Sequence, residues 1–330
     1  MGLTVTSAFV GEAYTAILRA CIQEAETFKA GVAAIHTGFN KKLHFPKIQL
    51  TGDIMQDYDP TGVDSGAVGT LAYNDSTAIT LAAQSIKISN IDPNDFRDIF
   101  EPLGLPAEML YTFPDLPAEI QTAFMLEILE NVSLIIDKNV WTGSTASGVA
   151  QPTNRFNGWL TALDTAGDYV DATTSGATAF SASNIFTYMD EVKSTLYSNT
   201  TMLAVESRRR DELKCFVSKN TANFLVTAEQ NTSGKGETRL TSSGIYDLVY
   251  SGAFPVVPLA SFPDDQILVT YASTDPRRSN LQYGATNTRD AENVQVFRMS
   301  NGSNYIGVRM DMSLGAQVAY STETLRFVVP

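Results

Sequence analysis

The chain has 330 residues, of which 18% are charged and 44% hydrophobic, and a formal net charge of −13. It is long enough to bury a sizeable core in two domains or one elaborated one. It holds no apolar run of roughly eighteen residues for a membrane span and no basic-then-apolar start for a secretory signal. The acidic balance excludes nucleic-acid binding over the whole surface but leaves room for one modest basic face.

The elements are taken in chain order. From Ala8 to Ala34 the spacing of Phe9, Ala13, Ile17, Ala20 and Cys21 predicts a helix, weakened at its end by Gly31. A basic patch follows, Lys41, Lys42, His44 and Lys47, on an extended segment Leu43–Leu50. It reads either as a solvated turn or as an inward-facing or intersubunit contact. Thr51 to Gly69 carries Asp53, Asp57, Asp59 and Asp64 and no basic residue. A second extended run covers Thr70–Asn90. Its apolar phase slips between Ile79/Leu81/Ala83 and Ile86/Ile88, as the first strand slips between Leu43/Phe45 and Ile48/Leu50. Each slip predicts a bulge or strong twist. Together the two runs form a long hairpin with an acidic tip, too thin to be stable alone and in need of a surface to lie on.

Asp92-Pro93 opens a short helix. A long amphipathic helix then runs from Pro117 to about Val140, with Asp115 as N-cap and Gly143 as stop. Phe124, Met125, Ile128, Leu129, Val132, Ile135 and Ile136 share its apolar arc, opposite Glu127, Glu130, Ser133, Asp137 and Lys138. A loop over Gly143–Thr153 leads to a compact turn, Arg155–Leu160. Thr173–Ser183 reads as a surface loop, with Ser181 or Ser183 capping a helix that carries Ile185, Met189, Val192 and Leu196. A strand at Lys214–Val217 precedes a helix at Thr221–Gln230, and short strands follow at Gly252–Pro258 and Ile267–Tyr271. The last forty or so residues read as strands at Val294–Met299, Tyr305–Met312, Ala316–Tyr320 and Leu325–Val329.

Catalytic equipment is missing from this pattern. His36 and His44 are the only histidines, no Gly-x-Ser-x-Gly elbow occurs, and Cys21 and Cys215 are too far apart in sequence for a zinc or disulfide motif. They fit buried thiols in a reducing compartment. No phosphate-binding glycine loop precedes a helix. Asp57–Gly62 matches the start of a calcium loop, but Val68 stands where a bidentate Glu is required. Arg208-Arg209-Arg210 is followed by Asp211 and Glu212, which predicts an exposed, salt-bridged turn. The reading is a non-enzymatic, structural or binding protein with no cofactor.

The order of segments is more specific than any single motif. The long helix ends in Trp141-Thr142-Gly143, a glycine-rich loop leads to Phe156-Asn157-Gly158-Trp159-Leu160, and a helix lies at Asn184–Leu196. Then come Cys215-Phe216-Val217-Ser218-Lys219-Asn220-Thr221 before a helix, Gly252-Ala253-Phe254-Pro255-Val256-Val257, and a β-rich end at Leu325-Arg326-Phe327-Val328-Val329. In this order the chain resembles the major capsid proteins of tailed bacteriophages, the Hong Kong 97 fold. The resemblance implies an α+β fold with an N-terminal arm (1–40), an extended β-hairpin arm (41–90), a peripheral domain (91–160 plus 288–330) with spine helix 117–140, and an axial domain (161–287). It implies a chain that assembles with itself into pentamers and hexamers of an icosahedral head enclosing double-stranded DNA. Portal and scaffolding proteins are the further partners, with no membrane contact, and the place is the virion, assembled in the host bacterial cytoplasm.

Two departures from that family sharpen the expectations. Some members cross-link an arm lysine to a neighbour's asparagine, but no lysine lies between Lys47 and Lys87 here, so no such bond is expected. The acidic arm tip is expected to seek arginines of a neighbour, with Arg208, Arg209, Arg210, Arg277 and Arg278 as candidates. Lys41, Lys42 and Lys47 are the candidates for an inner face touching DNA without sequence preference. The start at Met1 without a long charged leader implies a separate scaffolding protein, unless the short N-terminal helix suffices. The rival readings are an encapsulin-like compartment around a cargo enzyme, another phage structural protein, and a conventional cytosolic enzyme.

Overall fold

The computed structural model describes residues 5–10, 22, 24–39, 41–51, 70–91, 118–146, 148–149, 153–232, 240–241, 248–285, 293–298 and 306–330. Its start departs from the expected helix over Ala8–Ala34. Val5–Val10 is a strand, β1, and Ala34–Thr37 is strand β2; among the described residues between them, helix is found at positions 22 and 24 and in one short element, α1 (Glu26–Lys29), while Ala13, Ile17, Ala20 and Cys21 lie outside the described residues. β1 pairs antiparallel with a C-terminal strand, Val5 opposite Phe297 and Val10 opposite Asn293. Val5, Thr6, Phe9 and Val10 are strand formers, and a partner strand overrides the helical spacing of Phe9 with later residues.

The hairpin is present and more jointed than expected. β3 (Lys42–Thr51) and β4 (Thr70–Thr80) pair antiparallel in a two-stranded sheet of their own. The register slips where the apolar phase slips: Phe45 faces Thr77, while Lys47 faces Asn74. Two steps on β3 therefore match three on β4, a bulge opposite Pro46, which has no N–H to give the ladder. No bulge marks the second phase slip: Ala83 to Ile88 pair Ser313 to Val308 in unbroken register, and that ladder shifts only between Ile88 and Ile91. The extended run Thr70–Asn90 breaks at Leu81, and β5 (Ala82–Ile91) leaves the hairpin to join another sheet. The acidic segment between β3 and β4 and the short helix expected at Asp92 lie outside the described residues.

The long helix is α2 (Ala118–Thr142), 25 residues, about 37 Å at ~1.5 Å per residue. Its wet face differs from the expected one. Glu127, Glu130 and Lys138 are exposed, but Ser133 and Asp137 are buried, while Ile135 is 38% and Leu134 61% exposed. The C-terminal half of α2 is wrapped by α1, by a following helix α3 (Trp159–Ala166) and by sheet, so its buried arc is wider than a stripe. The polar groups caught inside are bonded. Ser133 Oγ donates to the Glu130 carbonyl (2.7 Å), Asp137 Oδ1 accepts from the Thr27 N–H (2.9 Å), and Asn139 Nδ2 donates to the Ile135 carbonyl (2.8 Å).

The rest of the chain runs β6 (Val170–Asp171), α4 (Ile185–Ser198), α5 (Thr200–Arg209), a 3-10 turn (Arg210–Glu212), β7 (Leu213–Ser218), α6 (Lys219–Thr232), β8 (Leu240–Thr241), β9 (Leu248–Tyr250), β10 (Phe254–Leu259) and β11 (Gln266–Tyr271). It closes with β12 (Leu281–Ala285), β13 (Asn293–Arg298), β14 (Ile306–Val318) and β15 (Leu325–Val328). Neither expected serine caps α4. Asn184 stands at its N-cap with its side chain accepting from the Ser181 N–H (2.8 Å), and Ser181 and Ser183 bond each other (3.0 Å). The strands expected at Tyr305–Met312 and Ala316–Tyr320 are one 13-residue strand, β14.

A six-stranded sheet has the order β1-β13-β14-β12-β2, with β5 also pairing β14. A seven-stranded sheet has the order β6-β15-β11-β7-β10-β9-β8. β15, in the segment expected to be peripheral, thus lies between β6 and β11, and β12, in the segment expected to be axial, lies in the six-stranded sheet. Central strands of the larger sheet are buried on both faces, which is why Lys214–Ser218 and Ile267–Tyr271 read as near-continuous apolar runs. Phe216 and Leu268 face a core shared with α2 and α3; Cys215, Val217, Ile267 and Val269 face a second core with α4 and α6.

Asp137→Ala would orphan the buried Thr27 amide and is expected to cost about 1–3 kcal/mol, read as a lower urea midpoint at constant slope. Asp137→Asn keeps an oxygen for that amide and should lose less. Burial raises the Cys215 thiol far above its ordinary range, so a thiol reagent should leave it untouched until the chain is denatured.

Candidate functional site

The hairpin β3–β4 forms a two-stranded sheet of its own, and the sequence builds a specific seat for its root. Gly284 and Gly315 are directly opposed across the β12–β14 ladder. A Cβ on Gly284 would lie 2.6 Å from Phe39 Cζ, 2.9 Å from Ile79 Cγ2 and 3.1 Å from Leu81 Cδ2. A Cβ on Gly315 would run into the Thr80 carbonyl oxygen, closer than any real contact, and lie 3.1 Å from Ile79 Cγ2. Ile79 therefore sits with no exposed surface in a hollow made by two missing side chains. This explains why β14 runs through Gly315, where the sequence pattern had suggested a break.

Around that hollow the root is tied by polar contacts. The Leu81 N–H donates to the Lys41 carbonyl (3.0 Å), and Gln84 Nε2 donates to the Arg155 carbonyl. His36 on β2 lies 5.5 Å from the Phe45 ring and bonds Gln282 Oε1 through Nε2 (2.6 Å). The Gln282 amide nitrogen is committed to the Pro276 and Ser279 carbonyls, so its oxygen faces His36 and the imidazole proton sits on Nε2. Outward, Lys41, Lys42 and His44 are exposed, while Leu43 and Phe45 are half-buried, the alternation of a strand with one wet face. The side chain of Lys47 lies outside the described residues.

The C-terminal end of α2 is fixed by a second close approach. A Cβ on Gly143 would collide with the Phe156 and Asn139 carbonyls, and one on Gly158 would lie 2.5 Å from the Asn139 oxygen. The Gly158 N–H and the Thr161 hydroxyl both donate to the Gly143 carbonyl (2.8 and 2.7 Å). Beneath them Trp141 packs edge-on against Trp159 (4.8 Å) and Phe262 (5.0 Å). The indole of Trp141 donates to Thr27 Oγ1 (2.8 Å) and that of Trp159 to the Gln282 carbonyl (2.9 Å). Leu134 and Ile135 are left exposed on the outer side of the helix.

The structure brings the two basic runs together and corrects their expected form. Arg208 and Arg209 belong to the last turn of α5, not to a turn, and Arg209 is half-buried, its guanidinium 4.2 Å from the Tyr271 ring centroid. It also donates to the Arg277 carbonyl (3.3 Å). Arg278 pairs with Glu212, so that carboxylate answers the distant run, and Arg210 has Glu206 at 3.6 Å. Arg208, Arg210, Arg277 and Arg278 remain exposed. Asp53, Asp57, Asp59 and Asp64, with the calcium-like loop, lie outside the described residues. Among the described residues no group of His, Cys, Asp and Glu is arranged to hold a metal, and no helix is long and apolar enough to cross a membrane.

Sequence reading overlooked Gly284, placed a strand break across Gly315 and put Asp137 on the wet face of its helix. Two glycines inside apolar strand patterns were the available signal for the seat. It also overlooked Tyr271, whose hydroxyl donates to Glu323 (2.8 Å), and the buried Arg326, which pairs with Asp164 (2.5 Å). Arg209→Ala is expected to destabilise the fold by about 1–2 kcal/mol through the lost ring and carbonyl contacts. Arg208→Ala should stay within about 0.5 kcal/mol, a contrast that paired denaturation curves would show.

No family model matches the chain and no curated protein matches it. Solved structures do. A chain of the satellite phage P4 procapsid that includes the size determination (Sid) protein superposes with a TM-score of 0.60 at 13% identity, covering 95% of this chain and 90% of that one. The capsid of an empty GTA particle gives 0.55 at 12%, over 92% and 96%. The capsid of Ralstonia phage GP4 gives 0.53 at 10%, over 94% and 92%. At such identities the likeness is one of fold, and it runs nearly the full length of both chains. The resemblance read from the order of segments thus holds at that level: this chain has the fold of phage capsid proteins.

Proposed function

We propose that the chain is the major capsid protein of a tailed bacteriophage, building pentamers and hexamers of an icosahedral head around double-stranded DNA. The observation that carries this reading is a fold shared with capsid proteins over more than nine-tenths of the chain, joined to a hairpin that forms a sheet of its own. A two-stranded sheet is marginal in water, and a second copy of the chain supplies the surface that it needs. A contact between two different faces of one subunit is heterologous and closes into rings when its rotation allows. A subunit held by several such contacts gains by multivalency.

In Hong Kong 97 terms, α2 is the spine helix and β3–β4 the extended arm. Residues 91–160 and 288–330 are mainly peripheral, and 161–287 mainly axial. The arm tip, with Asp53, Asp57, Asp59 and Asp64, meets arginines of a neighbour. Arg208 and Arg277 suit that role best, because Arg209, Arg210 and Arg278 are engaged with Tyr271, Glu206 and Glu212. Lys41 and Lys42, with Lys47, face the packaged DNA and neutralise its phosphates without reading sequence, in a salt-dependent way. Portal and scaffolding proteins complete the assembly in the host cytoplasm, and the mature place is the virion. The role is structural, with no reaction catalysed.

Negative-stain electron microscopy of the protein from its native source is the direct test. Closed icosahedral shells containing DNA are expected. Shells filled with a protein cargo would move the reading to an encapsulin-like compartment, and an absence of particles would overturn it. Asp57→Asn with Asp59→Asn is expected to lower shell stability to salt; unchanged shells would remove the arm-tip pairing.

A further inference from the structure

Nothing yet accounts for how the arm is pointed. A hairpin that must reach a neighbour succeeds only if it leaves its own subunit at one angle, and errors at the root grow with distance along β3 and β4. At about 3.3 Å per residue, the ten residues of β3 carry the end of the arm roughly 30 Å from the root, so a rotation of about 10° there displaces it by about 5 Å. The root is where the sequence spends two glycines. Gly284 and Gly315 face each other in the ladder, Ile79 fills the space between them, and the Thr80 carbonyl lies over the Gly315 Cα. The chain turns at Leu81 immediately beyond.

We propose that the Gly284–Gly315 pair is the aiming element of the arm, and that its function is to set the arm's direction for assembly; this rests on the assembly reading above. The two glycines act through different neighbours, which makes the idea separable from a general loss of stability. At Gly284 the obstacles to a methyl are ends of side chains, Phe39 Cζ nearest at 2.6 Å, then Ile79 and Leu81. Shortening Phe39 removes the nearest of them and leaves the Ile79 branch methyl at 2.9 Å. At Gly315 the obstacle is the backbone carbonyl of Thr80, which no side-chain change removes. A methyl at Gly315 therefore moves the arm itself, while a methyl at Gly284 moves it less once Phe39 is shortened.

The test uses the full chain with Cys21→Ser. One nitroxide is placed at Thr51→Cys on the arm and one at Ser207→Cys on α5; buried Cys215 takes no label. Electron–electron distances in unassembled subunits report arm direction, melting reports folding, and sedimentation reports particle yield. Gly315→Ala and Gly284→Ala are each expected to fold, to shift the distance by several ångströms, and to cut particle yield at least tenfold. Gly284→Ala with Phe39→Leu is expected to recover part of both distance and yield. Should Gly315→Ala fail to fold, the Gly284→Ala pair decides alone. Wild-type distance and yield in Gly284→Ala would overturn the proposal, as would a yield lost without any change in distance. If the wild type forms no particles even when made in its native source, the assembly reading falls, and the aiming role, which exists for assembly, falls with it. A shifted distance would then show only that the seat sets the arm's angle.

Discussion

Direct approach of backbone to backbone, with no side chain between, is the constraint on which this fold depends. It occurs where the long helix ends, at Gly143 and Gly158, and where the hairpin is rooted, at Gly315, whose ladder partner Gly284 leaves its space to the side chains of Phe39 and Ile79. In both places a carbonyl occupies the space that a Cβ would need. Such contacts have no slack. A packed leucine shifts rotamer at modest cost, but a carbonyl against a methyl moves the whole segment behind it. Two long-range features, the end of a 25-residue helix and the base of the arm, are therefore set by four residues that contribute no side chain.

Between these fixed points the seven-stranded sheet joins the molecule into one body. Alternate residues of β7 and β11 serve two cores, Phe216 and Leu268 on one side, Cys215 and Val269 on the other. The aromatic group around Trp141 brings the helix end against Phe216 of that sheet at 5.3 Å. The buried polar groups follow the same economy. Asn280, with no exposed surface, donates to Thr270, Thr324 and the Tyr320 carbonyl and accepts from the Tyr320 N–H, so one amide ties β11 to the approach of β15. Each hydrogen-bonded group there is costly to strand and contributes little by itself.

What the sequence disclosed depended on range. The long helix was legible because its period persists over many turns, and the register shift opposite Pro46 because the apolar phase of β3 changes there. Asp137 was misread because a carboxylate is assigned to water by default; its partner, the Thr27 amide, is 110 residues away. Yet it lies one turn before Trp141, on a row that only a buried helix end presents. β1 was misread for the same reason, since its pairing with β13 spans nearly the whole chain. Gly315 was taken as punctuation because a glycine within a strand pattern signals either a break or a close approach, and the approaching segment, Ile79–Leu81, is far away in sequence. Of the arginines, the exposure of Arg208 was legible and the engagement of Arg209 with Tyr271 was not.

The bulge opposite Pro46 has a consequence for the time before any partner is met. Two flanks of an extended hairpin present free N–H and C=O groups, a template on which any unfolded or nascent strand can grow into an aggregate. Here one flank is interrupted by a residue with no N–H, followed at once by a lysine, and its partner strand carries the extra residue that twists the ladder. Proline, charge and bulge, three separate deterrents to indiscriminate strand pairing, stand at one point of the arm. The feature that shifts the register of the hairpin thus also makes its flank a poor template for indiscriminate pairing.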